Sequence, residues 1–79
     1  MKSIFLCNTP AIIDKVYSKE TIVALQQEID LDTTIFTGKD LETHDFSKIE
    51  AIFASWDIPI LNDEQVRKHF PNLKYVFYA

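Results

Sequence analysis

Four short apolar runs alternate with helix-like segments along this chain of 79 residues. The runs cover residues 2–7, 33–37, 51–56 and 73–78 and are rich in β-branched and aromatic side chains, which favour strands. Strands that alternate with helices over short connections predict a parallel sheet with right-handed crossovers. We therefore expect an α/β protein over residues 1–79. Its architecture should be a flavodoxin-like three-layer sandwich, with four parallel strands in the order 2-1-3-4.

Capping residues and prolines mark the expected helix boundaries. Ser18 is the predicted N-cap of the first long helix. Asn62, followed by Gln65 at the third helical position, predicts a capping box for the last helix, which Pro71 should terminate. Residues 39–48, which lie between these helices, are polar and show no strong hydrophobic period. They predict a loop with a single helical turn capped by Asp40.

Composition and charge exclude several classes of protein. The net charge is −4 and no basic run exists, so neither nucleic acid nor an anionic membrane surface is an expected partner. The apolar runs are far shorter than the ~20 residues that a membrane span needs. A single cysteine cannot form an internal disulfide and fits a reducing compartment, so we expect a cytoplasmic location.

Few residues of this chain carry recognisable chemistry. Cys7, His44 and His69 lie far apart in sequence and show no paired metal-ligand spacing, so no metal site is expected. The only glycine, Gly38, follows the second strand. Neither the glycine-rich dinucleotide turn nor a phosphate loop is present, and we expect no cofactor site within these residues. No catalytic residue is assigned.

The carboxyl ends of the strands are the remaining place for a ligand, because parallel strands bring these ends to one edge of the sheet. Trp56 could line a pocket there or could cover the sheet, and both interpretations stay open. The last strand is predicted to be buried, so we expect the segment that would hold a ligand to lie beyond it and the domain to be incomplete. The residues expected along this edge are Asn8, Thr37, Ser55, Trp56, Asp57 and Ala79.

Two stretches near the end of the chain carry a family resemblance. Residues 51–59 read Ala-Ile-Phe-Ala-Ser-Trp-Asp-Ile-Pro, and residues 70–79 read Phe-Pro-Asn-Leu-Lys-Tyr-Val-Phe-Tyr-Ala. Together they resemble the D-isomer-specific 2-hydroxyacid dehydrogenases, in which a third strand ends at the cleft and a Pro-Asn-Leu-Lys segment leads into the fourth. The resemblance covers the whole chain in outline and the last third in detail.

The resemblance implies that the chain is the N-terminal part of a flavodoxin-like substrate domain. The parent enzyme would transfer hydride between NAD or NADP and a small 2-hydroxy or 2-oxo acid. The resemblance places the parts that do the chemistry outside these residues, so the chain alone should be inactive. These parts are the catalytic arginine, glutamate and histidine, the glycine-containing loop that binds the substrate carboxylate, and the Rossmann domain. His44 and His69 are not the catalytic groups. Ser55, Trp56 and Ala79 are the substrate-cleft candidates.

A second interpretation is a free-standing flavodoxin-like module that binds a partner without catalysis. The missing fifth strand favours the dehydrogenase fragment, because a sheet of four strands leaves the apolar run 75–78 at an open edge, which invites pairing with another chain, whereas a monodisperse monomer would favour the module. We expect the isolated chain to self-associate through this edge or its covered faces. Dimers are also common in the family that it resembles.

Overall fold

The computed structural model describes residues 1–79 and contains four strands, three α-helices and one 3-10 helix. All strand pairs are parallel, and the order is β2-β1-β3-β4. The predicted α/β class and strand order are therefore confirmed. In chain order the elements are β1 (Lys2–Leu6), α1 (Pro10–Val16), α2 (Lys19–Glu28), β2 (Asp30–Phe36), the 3-10 helix (Gly38–Glu42), β3 (Ala51–Ala54), α3 (Asp63–His69) and β4 (Tyr75–Tyr78).

Helical elements cover both faces of the sheet, as a three-layer arrangement requires. Because successive strand residues point to opposite faces, the central strands β1 and β3 contribute to an apolar cluster on each side. Under α1 and α2 the buried cluster consists of Phe5, Cys7, Ile13, Tyr17, Leu31 and Phe53. Under α3, the 3-10 helix and the loop after it, the cluster consists of Ile4, Leu6, Leu41, Phe46, Ile49, Ile52, Ala54 and Phe70.

The predicted helix caps are mostly confirmed. The Ser18 hydroxyl accepts a hydrogen bond from a backbone amide of the first turn of α2. The Asn62 side chain accepts the Gln65 amide at 2.9 Å, and the Gln65 side chain accepts the Asn62 amide at 3.3 Å. The predicted cap of the 3-10 helix is wrong. Thr37 is its N-cap, and Asp40 occupies the third position and accepts the Thr37 amide at 2.8 Å.

Several strand boundaries differ from the prediction by one to three residues, and β4, for example, begins at Tyr75 and not at Leu73. β2 begins at Asp30, three residues early, because parallel pairing with β1 recruits polar residues that have weak strand propensity. β3 ends at Ala54, so Ser55 and Trp56 lie outside the strand, and Trp56 and Asp57 form a turn. An apolar run does not show where strand pairing ends. Here the pairing of β3 with β4 stops at Ala54–Tyr78, and the turn at Trp56 and Asp57 follows it.

β4 is an exposed edge strand, and the prediction that it is buried is wrong. Tyr75, Val76, Phe77 and Tyr78 expose 51%, 53%, 44% and 61% of their surface. β4 pairs only with β3, and none of its residues belongs to either buried cluster. The predicted open edge is confirmed. An apolar run indicates that a strand is suited to burial, but burial itself requires neighbours on its edges and faces.

Candidate functional site

The carboxyl ends of the four strands meet at one edge, as expected for a parallel sheet. The Cys7 amide donates to the Phe36 carbonyl oxygen at 2.8 Å, which joins the ends of β1 and β2. The Ala79 amide donates to the Ala54 carbonyl oxygen at 3.0 Å, which joins the ends of β3 and β4. The residues that follow these ends therefore form a continuous rim.

The crevice between β1 and β3 is the usual ligand position in such a sheet, because the strand order reverses there and the connections that follow the two strands leave toward opposite faces. In this protein the loops on its two sides touch each other. The Asn8 amide donates to the Asp57 carbonyl oxygen at 2.9 Å, and the Thr9 hydroxyl donates to the Asp57 carboxylate at 2.6 Å. The Asn8 side chain also accepts the Gly38 amide at 2.8 Å. The two bonds to Asp57 bridge the crevice, and the bond to Gly38 ties the end of β1 to the segment after β2.

One unusual backbone conformation and one close approach accompany this bridge. Asp57 has φ of 62°, in the left-handed region that aspartate tolerates better than most residues. Gly38 lies in close approach to two side chains, since a Cβ atom there would lie 3.0 Å from Oδ1 of Asn8 and 3.4 Å from Cβ of Pro59 and would make the Asn8 side chain shift. Sequence analysis placed Asp57 and Asn8 on the rim but could not show that they bind each other.

Two of the three substrate-cleft candidates are in direct contact. Ser55 is fully buried, and its hydroxyl donates to the carbonyl oxygen of the exposed Ala79. Trp56, the third, exposes 69% of its surface and lines neither cavity of the structure. Trp56 therefore neither covers the sheet nor lines a pocket of this structure. Its role beside a ligand stays a prediction.

Tyr17 is a rim-organising residue that sequence analysis missed. It follows α1, exposes only 7% of its surface, and packs edge-on against Phe5 and Phe53 at centroid distances of 5.3 and 6.2 Å. Its hydroxyl donates to the Ala54 carbonyl oxygen at 2.8 Å and lies 3.4 Å from the Phe77 carbonyl oxygen. Burial raises the pKa of Tyr17. The only sequence signal was an aromatic residue at the end of a short amphipathic turn.

The cysteine and the histidines do not converge on one site. Cys7 is buried in the cluster under α1 and α2. His44 lies 3.8 Å from the Asp40 carboxylate, and Nε2 of His69 lies 3.5 Å from the Glu42 carboxylate. No group of three or more His, Cys, Asp or Glu side chains could hold a metal ion. These contacts fit local packing rather than shared chemistry.

The larger of two cavities lies away from the rim, near the amino ends of β1 and β2, and has a volume of about 600 Å³. Its walls combine the aromatic rings of Phe36 and Phe46 with side chains of both charge signs, among them Lys2, Lys48 and Asp32. None of the predicted cleft residues lines it. Its mixed charges do not select one class of ligand.

Comparisons of the chain with protein-family models, with curated proteins and with solved structures found no match. The α-helices contain seven, ten and seven residues, and none has the length and apolar character needed to cross a bilayer.

Proposed function

We propose that this chain is the N-terminal part of the substrate domain of a cytoplasmic D-2-hydroxyacid dehydrogenase that uses NAD or NADP. The observation that carries the proposal is the relation between the two stretches of family resemblance, residues 51–59 and 70–79. They form the adjacent parallel strands β3 and β4, paired from Ala51–Tyr75 to Ala54–Tyr78. Their carboxyl ends meet at the rim, where Ser55 binds Ala79.

The three cleft candidates have different roles in this proposal. The Ser55 hydroxyl is buried and already bonded, so Ser55 positions the backbone at Ala79 rather than contacting the substrate. The exposed indole of Trp56 offers an apolar wall for the organic part of a small 2-oxo acid. Ala79 leads into the backbone that would bind the substrate carboxylate. The substrate lies on the β3–β4 side, because Asp57 bridges the β1–β3 crevice.

The nicotinamide cofactor does not fit the residues of this chain. A dinucleotide needs a glycine-rich turn after the first strand, and here β1 leads into Asn8 and Thr9, whose contacts with Asp57 fill the crevice. We therefore assign the cofactor to a separate domain of the parent protein and derive no step through it.

The first test is the gene sequence on the 3′ side of the Ala79 codon. We expect a glycine-containing loop, a Gly-x-Gly-x-x-Gly segment and later Arg, Glu and His codons. A stop codon at that position would contradict the proposal.

The second test is kinetic. The isolated chain should not oxidise NADH or NADPH with any small 2-oxo acid, whereas the protein encoded by the whole gene should. In that protein, Trp56→Ala should lower kcat/KM for the 2-oxo acid about tenfold or more, the usual effect of losing an apolar substrate contact. Val23→Ala is the matched control, because Val23 is an exposed apolar residue on α2. Equal kinetics for the two variants would refute the role of Trp56.

A second candidate function is a flavodoxin-like interaction module without catalysis. The exposed apolar strand β4 favours it, because such an edge is a ready surface for a protein partner. A net charge of −4 makes nucleic acid and anionic membranes unsuitable partners. This candidate predicts a stop codon after Ala79 and no dehydrogenase activity.

A further inference from the structure

We propose that the chain forms a twofold-symmetric dimer in which two β4 strands pair antiparallel, edge to edge. Each four-stranded sheet would then continue into that of its partner. This dimer is independent of the dehydrogenase assignment, since it depends only on the surface that these residues expose.

The backbone of β4 has an unused set of donors and acceptors. The amides of Tyr75 and Ala79 donate to Glu50 and Ala54 at 3.1 and 3.0 Å, on the side of β3. Because backbone groups alternate along a strand, the amides and carbonyls of Val76 and Tyr78 point away from β3. A second strand can pair with these groups without disturbing any bond that β4 makes within the chain.

The side chains of β4 are self-complementary in one antiparallel register. When Phe77 lies opposite the partner's Phe77, Val76 lies opposite the partner's Tyr78. Phe77 already stacks on Phe53, with a centroid distance of 4.9 Å and an interplanar angle of 16°. The dimer would extend this stack across the twofold axis, and aromatic and β-branched cross-strand pairs are among those that stabilise sheets.

Charge does not oppose this contact. Residues 75–78 are uncharged, and the neighbouring Lys74 is neutralised by Glu50, with Nζ 3.1 Å from the carboxylate. The edge contains neither proline nor an inward-pointing charge, the devices that usually prevent edge pairing.

The opposite edge of the sheet is protected. β2 carries exposed Asp30 and Asp32, and its register with β1 shifts between Ile4 and Phe5. Charges and bulges discourage strand addition. With a single self-complementary edge, association should stop at a closed dimer rather than continue into a filament.

The size of the contact predicts a weak dimer. A fully covered aromatic side chain buries about 150–250 Å², so half-exposed residues leave on the order of 100 Å² each. The four exposed residues of β4 therefore give at most roughly 800 Å² for the pair of chains. Stable interfaces usually bury at least about 1,200 Å². The dimer should accordingly dissociate on dilution through the micromolar range.

Sedimentation equilibrium of the chain between about 2 and 200 μM tests the association. The apparent mass should rise from 9.2 kDa toward twice that value. Val76→Pro should stay monomeric at every concentration with an unchanged far-UV circular dichroism spectrum, because the lost amide has no partner within the chain. Val76→Lys should do the same, whereas Val23→Lys, a matched change at an exposed residue of α2, should dimerise as the wild type does.

Cysteine cross-linking tests the register. Under mild oxidation, Phe77→Cys should form a disulfide-linked dimer, since directly opposed residues of a non-hydrogen-bonded pair are close enough for a disulfide. Tyr75→Cys should cross-link at least tenfold more slowly, and the wild type with its buried Cys7 is the background control. A monomer at the highest concentration, association that survives both Val76 changes, or equal cross-linking at both positions would overturn the proposed dimer. A monomer that binds a different extended peptide would also overturn it.

Discussion

The buried hydroxyl of Tyr17 offers the sharpest test of how the rim is organised. Tyr17→Phe removes the hydrogen bond to the Ala54 carbonyl oxygen, 2.8 Å long, and leaves the ring contacts unchanged. Ala54 keeps a second donor, the Ala79 amide at 3.0 Å, so its carbonyl is not left unsatisfied. A neutral hydrogen bond contributes about 0.5–1.5 kcal/mol. We therefore expect the free energy of unfolding to fall by about 1 kcal/mol.

Urea unfolding followed by far-UV circular dichroism measures this effect at a protein concentration where the chain is monomeric. With a slope of about 1 kcal/mol per molar urea for a small domain, the midpoint should fall by about 1 M. Tyr75→Phe is the matched control, because the Tyr75 side chain is half-exposed and should change stability by less than about 0.5 kcal/mol. Equal midpoints for the wild type and Tyr17→Phe would refute the role given to this hydroxyl.

The pH dependence gives a second, independent measurement on Tyr17. Burial raises its pKa above the ordinary value of 10.0, so the folded state holds the phenolic proton more tightly than the unfolded state. The resulting stability is fully present below the unfolded pKa and is lost as pH rises through the folded pKa. The difference between wild type and Tyr17→Phe should therefore shrink above pH ~10. A difference that stays constant from neutral to strongly alkaline pH would show that Tyr17 titrates as an exposed residue.

Three further changes test the caps, the core and an exposed ion pair. Asn62→Ala removes the N-cap of α3 and should cost about 1 kcal/mol in urea unfolding, and an unchanged midpoint would contradict the assignment of the cap to Asn62. Phe70 is 1% exposed, so Phe70→Ala leaves a cavity in the core and should lower the free energy of unfolding by about 3–5 kcal/mol. This loss is enough to remove most of the thermal unfolding transition of a small domain. A nearly unchanged melting curve would argue against this core. Hydrogen bonding to Lys74 lowers the pKa of Glu50, so its contribution is present above the ordinary value of 4.5 and is lost as pH falls through the lower folded value. Glu50→Gln should flatten the loss of stability in that acidic range, and parallel acid-denaturation profiles would exclude the effect.

Local signals in the sequence determined the elements and their order. Ser18 and the pair Asn62–Gln65 could be assigned as caps, because a cap depends on residues only three positions apart. The strand order 2-1-3-4 followed from the alternation of strands and helices, since right-handed crossovers leave few topologies. The open edge at β4 could be predicted for the same reason.

The tertiary structure decided which of these residues are covered and which touch. β4 is as apolar as a buried strand, yet it is exposed, because burial depends on neighbours and not on composition. The contact of Asp57 with Thr9 spans 48 positions, and that of Tyr17 with Ala54 spans 37 positions. No local pattern encodes such separations. The sequence by itself therefore determined the sheet, its open edge and its rim, whereas folding in three dimensions bridged the crevice at Asp57 and left the side chains of β4 exposed, because long-range contacts form only when the strands are assembled.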